Sequence, residues 1–495
     1  MTAALLRQAL IAGLPEVQSQ DGGSPDPAHV YVPSAHAKAL ALDCSLVIGA
    51  RGVGKTFWWE ALRNGSVRNH LAGKVQSIAN IDVGTGFGIG VSIDHAPDRD
   101  TFARLIAPDT GLSPYNVWRA VCARWIGRLL DQGAPQGDWM DTVRSVADNP
   151  ETYARRLERA DDLLGRQSRQ GLLMFDALDR ASNDWRTTDQ IVRDLLRVVL
   201  DLRPYRHLHA KVFLRDDQFE GRGIKDFTDA SKLLATRADL TWGSRDLHGL
   251  LWQYLINAPA TKVGPSWRYL IDGPAAEVVP VLDLLRDIGC PADSNAPVRE
   301  VPRRLRTDED LQKTAFARLA GQYMGRDRRR GNTYTWVVSH LSDSRGRASP
   351  RSFLAAIRHA AVHSEETYQG HDSPLHYEAI KSGVRAASQI RVDEMAEDYP
   401  WIRHLMGPLK GMSVPCTFDD IVGRWTAAQV LDKDHYQGDR LPPEHLDQGP
   451  EGVRDDLEKL GLFQRMRDGR INMPDLYRVG FGLGRKGGVK PAARE

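Results

Sequence analysis

At 495 residues the chain is too long for one compact core, so two to four domains are expected. An apolar fraction of 41% suits a globular chain in water, and a net charge of +2 points to no nucleic acid or acidic partner. Cys44, Cys122, Cys290 and Cys416 lie far apart with no C-x-x-C pair, which argues against a disulfide framework or a zinc ribbon and fits a reducing cytoplasm.

Residues 1–40 open with a short amphipathic stretch. No basic segment followed by a long apolar one marks a signal peptide, and no run approaches the ~20 apolar residues that span a bilayer. The cluster Gln20 to Pro27 reads as a loop, and Tyr31 to Pro33 as a short extended piece.

Next comes Ser45-Leu46-Val47-Ile48-Gly49-Ala50-Arg51-Gly52-Val53-Gly54-Lys55-Thr56. It has the form G-x-x-x-x-G-K-T after an apolar run, with a helix-compatible segment from Phe57 to Arg63. That is the context of a phosphate-binding P-loop. Leu46–Ile48 reads as a buried strand of a parallel sheet. Gly49, Gly52 and Gly54 let the backbone turn its N–H groups onto phosphate oxygens, with the start of the helix adding its positive end. Gly49, Gly52, Val53, Gly54, Lys55, Thr56 and Phe57 are therefore the expected nucleotide-binding set. Lys55 would reach the β- and γ-phosphates and the Thr56 hydroxyl would bind Mg²⁺.

Val75 to Ile81 alternates apolar and polar residues and reads as a second strand. Gly84 to Gly90 is G-x-G-x-G-x-G, not the dinucleotide spacing, and reads as a flexible loop. Thr101 to about Arg166 is helical in pattern. Tyr115, Val117, Trp118, Val121, Cys122, Trp125, Ile126 and Leu129 recur at three and four, the signature of a packed face.

Gly171-Leu172-Leu173-Met174-Phe175-Asp176 is an apolar strand ending in an acid, the Walker B pattern. Asp176 at its tip would reach the Mg²⁺ shell, unless it is a surface cap. Asp179 is placed to polarise an attacking water. Ala177 stands where many such ATPases carry a catalytic Glu, which puts fast hydrolysis in doubt. Ile191 to Leu202 reads as a helix. Ala210 to Arg215 reads as a fourth strand, with Arg215 at the end where sheets of this kind bind ligands. Arg215 would sense a γ-phosphate or pair with Asp216, Asp217 or a neighbouring loop. Leu240–Trp242 is a candidate fifth strand, and Leu247 to Leu255 a helix leaving the core. There is no N-K-x-D, so ATP is favoured over GTP.

The P-loop, Asp-x-x-Asp after an apolar strand and strand-terminal Arg together resemble the STAND branch of AAA+-type P-loop ATPases over about residues 45–255. The resemblance implies an α/β three-layer core with a parallel sheet, a helical lid and a C-terminal winged helix. It also implies a nucleotide-gated switch, with Arg215 as the sensor Arg. The expected division is an N-terminal segment at 1–40, core at 41–255, lid at 256–370 and winged-helix-like domain at 371–495.

In the lid, Arg299 to Arg306 and Arg326 to Arg330 are basic runs; the first could carry phosphate contacts, and a solvated surface is the plainer reading. Ser349 can cap a helix that begins at Pro350. Arg351 in its first turn opposes the helix dipole and needs a partner, and the resemblance carries the sensor-2 role onto it. Ala379 to Glu397 reads as one helix. Val453, Leu457 and Leu460 mark another, and Leu462 to Met473 a hairpin turned at Asp468-Gly469. The helix is acidic. The basic side is Arg465, Arg467, Arg470, Arg478, Arg485, Lys486 and Lys490, so any nucleic acid would meet the hairpin and tail. The leading reading is a cytoplasmic ATP·Mg²⁺ switch in a regulatory, signalling or phage-defence assembly, with protein partners or self-assembly and no membrane. The alternatives are a DNA-binding initiator- or loader-like ATPase and a nucleotide-holding scaffold without turnover.

Overall fold

The computed structural model describes residues 3–16, 25–131, 137–220, 226–263, 276–293, 296–436 and 441–485. The Gln20–Ser24 part of the expected loop, and Lys486 and Lys490, lie outside them. The chain divides into two compact units, Val32–Thr241 and a second built from Met1–Tyr31 with Trp242–Glu495. The first element, α1 (Ala3–Gly13), belongs to the second of these.

The unit at 32–241 is a three-layer α/β P-loop core. In chain order it comprises α2 (Ser34–Leu40), β1 (Leu46–Gly49), α3 (Lys55–Arg63), α4 (Gly65–Ala72), β2 (Ile81–Thr85) and α5 (Arg99–Leu105). Then come α6 (Pro114–Leu129), α7 (Trp139–Asp148), α8 (Pro150–Arg166), β3 (Gln170–Phe175), α9 (Trp185–Leu202) and β4 (Leu208–Arg215). It closes with α10 (Asp216–Phe219), α11 (Ala230–Thr236) and β5 (Ala238–Asp239). The five strands pair in the order β2-β3-β4-β1-β5, all parallel. Parallel strands need covered faces; β1 and β3 are correspondingly apolar and almost wholly buried, and β4 is buried at all but His209 although it carries Lys211 and Arg215. The α9 residues Ile191, Val192, Leu195, Leu196, Val199 and Leu202 form a buried stripe at helical spacing. Trp118 of α6 lies edge-on to Phe87 and Phe175, with its indole N–H donating to Ile191 O at 2.9 Å.

Two strand expectations are corrected. Val75 to Ile81 is not the second strand. The Lys74 and Val75 amides both bond back to Leu71 O at 2.8 Å, so the chain turns there, and Gln76–Ile78 is a single 3₁₀ turn. The strand begins at Ile81, paired with Gln170, and runs through Gly84 into the supposed loop. Its glycines are packing devices. A Cβ at Gly84 would lie 2.4 Å from the Trp125 ring, at Gly86 2.3 Å from Phe175, and at Gly88 2.5 Å from Trp59. The fifth strand is Ala238–Asp239 rather than Leu240–Trp242. Leu240 contributes one last bond, its N–H to Ile48 O at 2.7 Å, before the chain leaves the sheet.

After β5 the second unit resumes with α12 (Ser244–Ile256), an antiparallel pair β6 (Thr261–Val263) and β7 (Ala276–Val278), α13 (Pro280–Asp287), α14 (Arg303–Thr307), α15 (Glu309–Ala320) and α16 (Thr333–His340). Two long helices follow, α17 (Pro350–Thr367) and α18 (Tyr377–Asp398), packed on each other so closely that Gly383 has no room for a Cβ against the Ala356 carbonyl. Ser349 caps α17 as expected, accepting from the Ser352 N–H at 3.1 Å. The unit ends with α19 (Trp401–Met406), β8 (Ser413–Val414), α20 (Phe418–Ala427), α21 (Gly449–Lys459), β9 (Gln464–Arg465), β10 (Ile471–Asn472), α22 (Asp475–Arg478) and β11 (Gly484–Arg485). β9 and β10 form the expected hairpin, with Gly469 at φ +83° in its turn. α1 joins this unit through the buried Arg7, which donates to Pro374 O and pairs with Glu365, both at 2.8 Å.

Candidate nucleotide site

The sheet order brings the motif residues together. β4 lies between β1 and β3, and its register sets Arg215 beside Gly49 and Val212 beside Phe175. The residues that follow β1, β3 and β4 therefore meet at one edge, the carboxyl end where open parallel sheets place their ligands.

The loop after β1 turns through Gly52 at φ +78° and Gly54 at φ +102°. Both angles are strained for any residue with a side chain. α3 starts at Lys55 with Gly54 as its cap. Gly49 is closely packed, since a Cβ there would meet Val53 Cγ2 at 2.6 Å. Val53 is buried, and Phe57 packs edge-on against Trp58 with ring centres 5.0 Å apart.

The Lys55 ammonium donates to Gly49 O at 2.8 Å and Ala50 O at 2.9 Å, curling into its own loop. Burial, helped by the Arg215 charge, pulls its pKa down to about 8 against the opposing pull of Asp176, Asp216 and Asp217. The Thr56 hydroxyl donates to Asp176 Oδ2 at 2.8 Å. Asp176 is 2% exposed and receives a backbone constraint as well, its N–H donating to Phe87 O at 2.8 Å. Burial raises its pKa, partly offset by the Thr56 hydrogen bond and the Lys55 charge. So Asp176 is an inner carboxylate facing the P-loop helix, not a surface cap.

Arg215 bonds Asp217 with its Nε and Nη2, both at 3.2 Å, and its Nη1 lies 3.9 Å from Asp179 Oδ2. The site thus groups two cations, Lys55 and Arg215, with three carboxylates, Asp176, Asp179 and Asp217. Asp217, one of several partners open to Arg215 on sequence grounds, bonds it twice and completes the set; nothing in its spacing singles it out. Ala177, directly after Asp176, is held at φ +55°, a left-handed conformation uncommon for a residue with a Cβ.

Arg351 belongs to the other unit, where it finds the partner its position demanded. Its Nη1 donates to Glu394 Oε1 at 2.7 Å, and Arg391 holds the other Glu394 oxygen at 3.3 Å.

The basic C-terminal side is reduced by internal pairing. Arg478 is fully buried, bonded to Asp475 and to Leu483 O. Arg465 is clamped by Glu458 and Asp455 of α21, Arg470 by Asp468, and Arg485 lies 3.5 Å from Asp475. The acids that make α21 repel phosphate also consume one of the cations beside it. The basic face expected on the described hairpin and tail is therefore mostly spent within the protein.

No family model and no curated protein matches the chain. Among solved structures it is similar to the Aeropyrum pernix ORC2 protein in ADPNP–ADP complexes, at 13% identity over 93% of each chain and a TM-score of 0.39. The ADP form of the same protein gives 13% identity over 92% of each chain and a TM-score of 0.32. No helix among the described residues is long and apolar enough to cross a membrane.

Proposed function

We propose that the chain binds ATP with Mg²⁺ and works as a slow nucleotide-gated switch. The observation that carries this reading is the Thr56–Asp176 hydrogen bond, which sets a hydroxyl and a carboxylate together at the start of the P-loop helix. Hard oxygen ligands of this kind suit Mg²⁺, which would neutralise charge on the β- and γ-phosphates. Lys55, now bonded to its own loop carbonyls, would exchange them for phosphate oxygens. Gly52, Val53, Gly54, Thr56 and Phe57 would supply backbone N–H groups. Arg215 would read the γ-phosphate from β4, with Asp179 orienting the attacking water, and Arg351 is the proposed second sensor.

Slow turnover follows from Ala177, which offers no carboxylate next to Asp176, and from Asp179, whose charge is shared with Arg215. A scaffold that holds nucleotide without hydrolysing it is the limiting case. The regulatory, signalling or phage-defence setting, with self-assembly or a protein partner, rests on the resemblance to STAND ATPases alone. A DNA-acting ATPase is the second reading, but with Arg478 buried and Arg465 and Arg470 paired it needs a contact surface beyond the hairpin.

Titration of fluorescent ATP into wild type and Lys55→Ala tests the proposal. The variant is expected to lose at least about tenfold in affinity, the size of a charge-assisted contact to phosphate. Equal binding by the two proteins removes the P-loop assignment.

A further inference from the structure

Between α15 and α16 the chain makes a tight excursion, Gly321 to Asn332, with Arg326-Asp327-Arg328-Arg329-Arg330 at its tip. We propose that this tip docks on the phosphate backbone of double-stranded DNA. The inference is independent of the nucleotide reading, because it uses none of those residues.

The excursion is built rather than loose. Tyr323 and Asn332 form an antiparallel bridge at its base. The Met324 N–H donates to Gly331 O at 2.9 Å and the Thr333 N–H to Gln322 O at 3.1 Å. The Thr333 hydroxyl bonds Gly321 O at 2.6 Å, and the Met324 side chain is 2% exposed, an apolar plug beneath the turn. Gly325 at φ +146° and Gly331 at φ +92° make the two corners. Little backbone ordering entropy is therefore left to lose when a ligand arrives, and the remaining cost is that of the arginine side chains.

Its surface is cationic and unspent. Arg326, Arg328, Arg329 and Arg330 are all exposed. Among the described residues none of the four guanidinium groups has an ion-pair or hydrogen-bond partner, in contrast to Arg465, Arg470 and Arg478. The carboxylate in the stretch, Asp327, accepts the Arg329 N–H at 2.8 Å and so acts as the cap of the turn. Four crowded cations repel one another, a cost that a polyanion removes.

Shape and chemistry narrow the ligand. Arg328–Arg330 is a 3₁₀ turn, three residues per revolution, so successive side chains splay about 120° apart. Splayed cations reach separate phosphates along a backbone and cannot converge on one small anion. Arginine forks match phosphate oxygens two at a time. The five tip residues carry no apolar side chain to enter a lipid surface.

The test is fluorescence anisotropy of the full chain with a 30-base-pair duplex at several salt concentrations. Two variants replace all four arginines, one with Ala and one with Lys. The Ala variant is expected to bind at least tenfold more weakly, and its slope of log K against log salt to flatten by up to about 3.6, at roughly 0.9 for each of four phosphates no longer neutralised. The Lys variant, which keeps the charge, should keep most of the slope. Unchanged nucleotide binding and an unchanged melting curve show that the Ala variant is folded. A wild-type chain that ignores duplex at 50 mM salt, or an Ala variant with wild-type affinity and slope, overturns the proposal.

Discussion

The Thr56 hydroxyl and the Asp176 carboxylate, 120 positions apart in the chain, are joined by a 2.8 Å hydrogen bond. An inner strand and the P-loop helix are thereby fixed together at the point where a cation would sit. Replacing Asp176 by Asn keeps an acceptor for Thr56 and removes the charge. Wild-type affinity for ATP is expected to rise when Mg²⁺ is added, and that rise to vanish in Asp176→Asn. Nucleotide titrations with Mg²⁺ or with a chelator measure it, and an Asn variant that still responds to Mg²⁺ rules out Asp176 as a metal partner.

Lys55 sets a pH limit on binding. Its pKa of about 8 in the free protein means that the ammonium begins to lose its proton within the working range. Phosphate oxygens favour the charged form, so a bound nucleotide raises that pKa. Above about pH 8, binding must therefore take up a proton, and affinity should fall toward about tenfold per pH unit. Titrations from pH 7 to pH 9.5 check this. Lys55→Arg, which stays charged, should abolish the inflection.

His36 makes the core acid-sensitive. Its Nδ1 accepts from the Trp58 indole N–H at 3.0 Å, and its Nε2 faces Thr241 O at 3.1 Å, so the neutral ring satisfies both. Burial pulls its pKa down to about 4 from the usual 6.5. The unfolded chain thus binds the proton first as pH falls. The stabilisation is whole above about pH 6.5 and lost as pH falls toward 4, at a cost of up to about 3 kcal/mol. Melting temperature against pH should show this loss in wild type. It should be shallower in His36→Gln, which offers a donor and an acceptor but does not titrate.

Gly86→Ala places a methyl carbon 2.3 Å from the Phe175 ring, one residue before Asp176. Overpacking of this kind costs about 1–3 kcal/mol. Gly370 is the control: no atom lies within 4 Å of where its Cβ would stand, and its φ is not positive. Its Ala variant should stay within about 0.5 kcal/mol of wild type. Chemical denaturation of the two variants measures the difference.

The P-loop, the Walker B strand and the Arg215 strand are legible in the sequence because each is a local pattern. A short apolar run followed by a fixed polar residue needs no distant partner to be recognised. The second strand is not legible, because the glycines at its end and just beyond it, Gly84, Gly86 and Gly88, answer to Trp125, Phe175 and Trp59, residues that only the fold brings near. The alternation at Val75 to Ile81 is a local coincidence, overridden by the turn that ends α4. The same limit hides the fate of the C-terminal arginines. Arg478 and Arg467 look alike in the sequence, yet Arg478 is fully enclosed and Arg467 is exposed at the hairpin tip. Lys211 is another case. It reads as a polar interruption of β4, but its ammonium is buried and donates to the carbonyls of Ala39, Ala41 and Cys44, satisfying all three protons.

Arg7, bonded to Pro374 O and Glu365, belongs to a unit whose remaining residues are translated only after the whole nucleotide core. During synthesis, α1 must stay undocked while Val32–Thr241 emerges and folds, with its apolar side uncovered until α12, α13 and finally α17 arrive. Trimming the first fifteen residues would then damage the distant helical unit and leave the P-loop core intact.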